Sequence, residues 1–185
     1  MRGGRRVRRR PFALRYTSYM KVLAIDPGYG RCGIAIVERR GVKDFVVHSE
    51  CIETDVNTEF NDRLRHVVTV CALALEKHKP DSLALEKLYF GANKTTALKV
   101  AEVRGAILSL AVGADVPVFE YAPNEIKIAT TGFGAADKRA MAAMIHALVK
   151  IDTPIRLDDE YDAIAIGITH LATYRPSFKT VKELQ

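Results

Sequence analysis

Several things that would narrow the function at once are missing from this 185-residue chain. No stretch approaches the roughly 18 consecutive apolar residues that a membrane helix needs, and the first residues lack the apolar core of a secretory signal. The expectation is a cytoplasmic protein with no membrane partner, import into an organelle being the minor alternative. No Gly/Ser-rich or Pro-rich linker divides the chain, so one domain with a sizeable core is expected. Cysteine is sparse: Cys32, Cys51 and Cys71 are odd in number and lack the paired spacing of a zinc site, and they read as reduced core thiols rather than ligands or disulfides. His48, His66, His78 and His146 lack metal spacing as well. Acid is missing from residues 1 to 19, which hold Arg2, Arg5, Arg6, Arg8, Arg9, Arg10 and Arg15. That arm accounts for more than the whole formal charge of +6, and removing its seven charges leaves −1 for residues 20 to 185. Net charge therefore does not reveal a nucleic-acid surface on the folded body, and such a surface has to be argued from positions.

The arm shows no apolar periodicity and reads as disordered. Met20 stands directly before the first strand pattern. Three readings stay open: an upstream start codon misassigned ahead of Met20, a basic tail that grips phosphates, and an Arg-rich transit peptide. The expected organisation is this arm, a domain over residues 20–175 and a tail over 176–185.

Within the domain, strands are expected at Lys21–Asp26, Gly33–Glu38, Phe45–Ile52, Ser82–Glu86 and Val116–Tyr121. Phe60, Leu64, Val67, Cys71 and Leu75 recur every three to four residues, giving a helix over Glu59–Lys79 that Pro80 closes. Further helices are expected over Asn93–Val112, Asn124–Ala129, Asp137–Lys150 and Asp158–Tyr174. The order βββαβαβα, a meander followed by alternating units, implies an α/β fold: a mixed five-stranded central sheet with helices on both faces.

The chemistry is carried by acids. Asp26 closes the apolar strand Val22-Leu23-Ala24-Ile25, and Glu86 closes Leu83-Ala84-Leu85. A carboxylate at the tip of one buried strand is ordinarily a solvated loop acid. Two strands ending alike, with a matching helix, invite a shared explanation, because a buried carboxylate is costly unless paired or metal-bound. The helix supplies Asp159 and Asp162, three apart and one turn along the same face. Asp158 and Glu160 need only complement the helix dipole, whereas Asp162 begins the apolar run and should face inward. Four hard oxygen donors suit Mg²⁺, with Mn²⁺ as a substitute, and two ions about 4 Å apart can activate water and stabilise a leaving oxygen in phosphodiester hydrolysis.

At this point the chain resembles the RuvC-type Holliday junction resolvases of the RNase H-like superfamily. The resemblance runs through Ile25-Asp26-Pro27-Gly28 and Gly33, Ser49-Glu50-Cys51-Ile52, Pro80-Asp81, Leu85-Glu86-Lys87-Leu88-Tyr89, and Asn93 through Ala97-Leu98-Lys99 to Arg104-Gly105. It continues through Pro117 to Ala122, Ile126-Lys127, Gly132-Phe133-Gly134 with Lys138, and Asp159-Glu160-Tyr161-Asp162-Ala163 to Ile168-Thr169-His170. It implies an RNase H-like fold and a homodimer that clasps a four-way DNA junction and nicks two like-oriented strands symmetrically, leaving ligatable ends, in recombination and repair. It leaves open whether a branch-migration motor hands the junction over.

The resemblance places the catalytic and metal-binding acids at Asp26, Glu86, Asp159 and Asp162. It places Lys127 and Lys138 near the scissile phosphate and Tyr89 against bases at the crossover. Lys87, Lys94, Lys99 and Arg104 are candidate phosphate contacts, with packing or a dimer contact as the other reading of Arg104. The basic arm and Glu102 depart from the pattern. His170 lies two turns, roughly 12 Å, beyond Asp162 and is expected to have no catalytic role. Two rivals remain beside the resolvase. A catalytically dead junction-binding relative would have no reason to keep all four acids, and an RNA-processing nuclease with the same metal site differs only in contacts that the residues do not display. The actin-like ATPases and sugar kinases need a second domain and a second Gly-rich phosphate loop, and this chain has neither.

Overall fold

A computed structural model describes residues 19–88 and 94–174, the side chains of residues 94 and 95 excepted. Three strands come first: β1 (Tyr19–Asp26), β2 (Arg31–Arg40) and β3 (Lys43–Glu53). Then follow α1 (Phe60–His78), β4 (Ser82–Glu86), α2 (Lys94–Gly113), β5 (Val118–Tyr121), α3 (Pro123–Thr131), α4 (Lys138–Leu148), β6 (Val149–Ile151) and α5 (Asp158–Thr173). The strands form one mixed sheet in the order β5-β4-β1-β2-β3-β6. β1, β2 and β3 are antiparallel neighbours, while β4, β5 and β6 join in parallel.

The mixed sheet with helices on both faces is as expected, but it has six strands among the described residues, not five. The additional strand is β6, which occupies the end of the segment Asp137–Lys150 expected as a helix. Instead Val149–Ile151 pairs with Asp44–Val46. Two β-branched residues in a three-residue strand are too short a run for period-two alternation to be distinguished from the end of a helix.

Each strand of the centre divides its side chains between two cores by simple alternation. Val22, Ala24, Ala35, Val37 and Ala84 face α3, α4 and α5, meeting Ile126, Met141, Ile145 and the apolar run Ala163–Ile166. Leu23, Ile25, Ile34, Ile36, Leu83 and Leu85 face α1 and α2, meeting Val67, Cys71, Leu75, Val103 and Ile107. The α1/α2 face is built of large residues, and the α5 face of alanines and valines. Small residues let α5 lie close: Gly167 sits so near Val37 and Ala24 that a Cβ there would collide with Val37. That close seat carries the N-terminal acids of α5 down onto the sheet.

Candidate active site

Strand register sets out the site as a row. Ile25 pairs with Leu85, so one step further along both parallel strands Asp26 comes to lie beside Glu86. On the other side Asp26 pairs with Gly33, and Gly33 pairs with Cys51. Glu86, Asp26, Gly33 and Cys51 therefore cross four adjacent strands in line, on the face that α5 covers. Gly33 is the opening through which the helix enters: a Cβ at that position would overlap the backbone carbonyl of Asp159. The first turn of α5 settles into this gap and brings Asp159 and Asp162 to the ends of β1 and β4.

The four acids are electrostatically coupled. Burial and the neighbouring charges of Glu86, Asp162 and Asp159 push Asp26 up from 3.8 to about 7, with Lys138 opposing. Glu86 is raised by burial and by Asp162, against Lys127. Asp162 is raised by burial, with Lys138 opposing and Asp159 adding to the rise. Asp159 is met by Arg31 Nη1 at 3.4 Å and lies close enough to the Cys51 thiol to act on it electrostatically. Burial and that acidic setting push Cys51 up to about 12, so the thiol remains protonated at neutral pH.

Among the described residues no three Asp, Glu, His or Cys side chains converge tightly enough to form a ready-made ligand cage. The donor set nonetheless fits a hard divalent cation. It consists of carboxylates alone, and the raised affinity of Asp26 for a proton reports a deficit of positive charge that a cation would relieve.

Glu160 has a different role from its neighbours. It is 4 % exposed, and its carboxylate accepts hydrogen bonds from Ser49 Oγ at 2.8 Å and from the backbone N–H groups of Arg156 and Leu157 at 3.0 and 3.2 Å. It closes the N-terminus of α5 and ties it to β3, leaving Asp159 and Asp162 for the site.

The basic residues divide into those close to the acids and those engaged elsewhere. Lys127 on α3 and Lys138 at the start of α4 act on the acids electrostatically, and Lys138 also pairs with Asp158 at 3.1 Å. Lys87 follows β4 and lies 4.0 Å from Glu125, with 46 % of its side chain exposed. Lys99 sits over the rings of Tyr29 and Phe60, 5.3 and 5.6 Å from their centroids, and Arg63 covers the same Tyr29 ring. Arg104 is drawn against Glu120 on β5 as an ion pair. Tyr89 and the Lys94 side chain lie outside the described residues, as do residues 1–18 and 175–185.

Three contributors escaped the sequence. Arg31 resembles any hairpin cation, and only α5 lying above the hairpin reveals its partner. Cys51, expected as a core thiol, is half-buried beside Asp159, because β3 register places it on the row of acids. The Ser49–Glu160 bond spans 111 positions and leaves no local signal. The other two cysteines are buried as expected, and all three are free. His170 is fully buried at the far end of α5, sharing hydrogen bonds with Ser82 Oγ at 2.8 Å and Tyr121 Oη at 2.7 Å.

A family model described as crossover junction endodeoxyribonuclease RuvC matches residues 22–170, the span that contains every one of these acids. A RuvC from Thermotoga petrophila is 39 % identical over 151 residues, covering 82 % of this chain and 92 % of that relative. One from Brachyspira hyodysenteriae is 39 % identical over 156 residues, covering 84 % of this chain and 96 % of its own length. The structure of T. thermophilus RuvC in complex with a Holliday junction substrate superposes with a TM-score of 0.77 at 30 % identity, over 83 % of this chain and 93 % of that one.

Proposed function

Since the chain belongs to the RuvC family of crossover junction endodeoxyribonucleases, we propose that it resolves four-way DNA junctions by hydrolysing one phosphodiester in each of two like-oriented strands. The observation that supports this most strongly is the row of Glu86 and Asp26 completed by Asp162, with burial first and neighbouring carboxylates second raising all three acids above their ordinary values. Carboxylates forced together in this way favour whatever brings positive charge, and a polyanionic strand approaches them only if that charge is supplied.

Asp26, Glu86, Asp159 and Asp162 would hold Mg²⁺, two ions per site, with Mn²⁺ as a substitute. Bound there, the metal supplies Lewis-acid polarisation of the phosphate and a more acidic water. The remaining work falls to side chains. Lys127 and Lys138 approach the acids from α3 and α4 and hold the scissile phosphate against them, neutralising charge that grows as water adds to phosphorus and the ester oxygen departs. Arg31 holds Asp159 through an ion pair, with the Cys51 thiol beside the same carboxylate. Lys87 extends the cationic path beyond β4. A homodimer would supply the second cut, and α2, which leaves Leu98 and Val112 60 % and 74 % exposed, is a surface suited to a second subunit.

The test is a labelled mobile four-way junction and its linear duplex, incubated with the protein in Mg²⁺ or in chelator and resolved on denaturing gels. Paired symmetric nicks in the junction alone, dependent on Mg²⁺, are expected. Binding without cutting in either Mg²⁺ or Mn²⁺ points to a junction-binding module. Cutting of RNA alone keeps the metal site and overturns the substrate.

A further inference from the structure

Between the helices that carry Lys127 and Lys138 the chain makes a tight turn, Thr131 to Asp137, with Phe133 at its tip. The turn is firmly built. Gly132 adopts a left-handed conformation at φ 76° that ends α3, and its N–H donates to Ile128 O at 2.8 Å. Thr131 Oγ1 accepts the Phe133 N–H at 3.1 Å and lies 2.8 Å from Lys127 O. Ala136 N–H donates to Phe133 O at 3.2 Å, and Asp137 caps α4 through Ala140 N–H at 2.8 Å. Gly134 packs against Asn124, where a Cβ would strike the amide oxygen. With the backbone held on both sides, the Phe133 ring points out and is 65 % exposed, more than any other aromatic side chain among the described residues. Ile128, next to Gly134 of the same turn, is 49 % exposed.

An isolated exposed Phe is unremarkable on a protein surface and by itself carries no meaning. Here the turn that presents the ring is held by hydrogen bonds and is flanked along the chain by cations: Lys127 six residues before it, Lys138 five after, and Arg139, which is exposed and forms no ion pair among the described residues. Both lysines act electrostatically on the acids. The turn joins the ends of the two helices that carry these lysines, so it flanks the place where a phosphate held between them and the carboxylates would sit. We propose that Phe133 stacks on a base next to the scissile phosphate, steadying an unpaired nucleotide of the junction while the lysines hold its backbone. This contact rests on the reading of the acid site as a DNA nuclease, and it adds a residue that sets how the strand lies there. Stacking tolerates every base, since each has a π-face, so Phe133 governs positioning more than sequence choice.

The experiment uses the full chain with a four-way junction carrying 2-aminopurine at successive positions beside the cleavage site, in Ca²⁺ for binding and in Mg²⁺ for cutting. Wild type is expected to change the fluorescence at one or two of these positions on binding. Phe133→Ala is expected to lose that change, to bind about tenfold more weakly and to cut with less defined positions, while its melting temperature stays unchanged. Phe133→Trp is expected to restore the signal, and Phe133→Leu to lack it despite being apolar. If wild type binds and cuts but Phe133→Ala matches it in affinity, fluorescence and cut position, stacking is refuted and the nuclease reading stands. If Phe133→Ala instead loses only self-association, the ring faces protein and the proposal fails. If wild type neither binds nor cuts the junction, the reading of the site itself has failed, and stacking with it.

Discussion

The two ends of α5 rest against the two ends of β4, and they handle polarity in opposite ways. At one end Asp162 stands over Glu86 and Asp26, and the acids raise one another's affinity for protons. At the other, His170 meets Ser82 and Tyr121, is fully buried, and is lowered to about 4 by desolvation. A neutral imidazole offers one donor and one acceptor, and this pocket engages both nitrogens. The spacing matches: eight helical residues separate Asp162 from His170 and four strand residues separate Ser82 from Glu86, about 12 and 13 Å respectively. The satisfied end secures the helix so that the unsatisfied end can hold like charges close together. Polar groups that serve structure are paired within the chain, and those that serve a ligand are left wanting charge.

The sharpest way to break this contrast is Asp162→Asn, which keeps shape and removes charge. Cutting of a four-way junction should fall by at least about a thousandfold while junction affinity, measured by gel shift, stays within about threefold. Loss of both together would make Asp162 a structural acid. Next in size is His170→Ala, which strips partners from Ser82 and Tyr121 and opens a cavity. Urea unfolding should show a loss of about 3 kcal/mol, with His170→Gln recovering part of it. The opposite sign is expected for Asp26→Asn in chelator at pH 8: a gain of about 1–3 kcal/mol together with loss of cutting, since a like charge has been removed from the cluster.

Stability against pH sharpens the same comparison. A carboxyl raised to about 7 stabilises the metal-free fold at low pH and withdraws that stability as pH rises from 3.8 through 7. A histidine lowered to about 4 acts in the reverse direction, its contribution being present above 6.5 and fading as pH falls toward 4. Asp26→Asn should flatten the first slope and spare the second, read by denaturant melts from pH 4 to 8. The smallest effect concerns the metal itself. Binding of Mg²⁺ should tighten about tenfold between pH 6 and 8 as Asp26 gives up its proton, and calorimetry in buffers of different ionisation heats should detect that release.

Much of this was legible beforehand because the acids end apolar strands and begin an apolar helix, which are patterns local to each segment. Asp26, Glu86 and Asp162 were visible on that ground, and the mixed sheet followed from the order of the elements. What stayed hidden depends on which distant segments meet. Nothing near Cys51 says that it shares a row with Asp26, nothing near Glu160 points to Ser49, and nothing near Arg104 points to Glu120. β6 was missed because a three-residue strand directly after a helix has no periodicity of its own.

The adjacency of Asp26 and Glu86 has a consequence for how freely the rest of the chain can vary. One step beyond the Ile25–Leu85 pair, their backbones stand about one interstrand spacing, about 4.8 Å, apart, a dimension that main-chain hydrogen bonding imposes on neighbouring strands whatever their side chains. Sequence drift elsewhere cannot stretch this ruler as long as the β1 and β4 registers hold. Anyone transplanting the pair into another parallel sheet would inherit the distance with the backbone and would have to design only what sits above it.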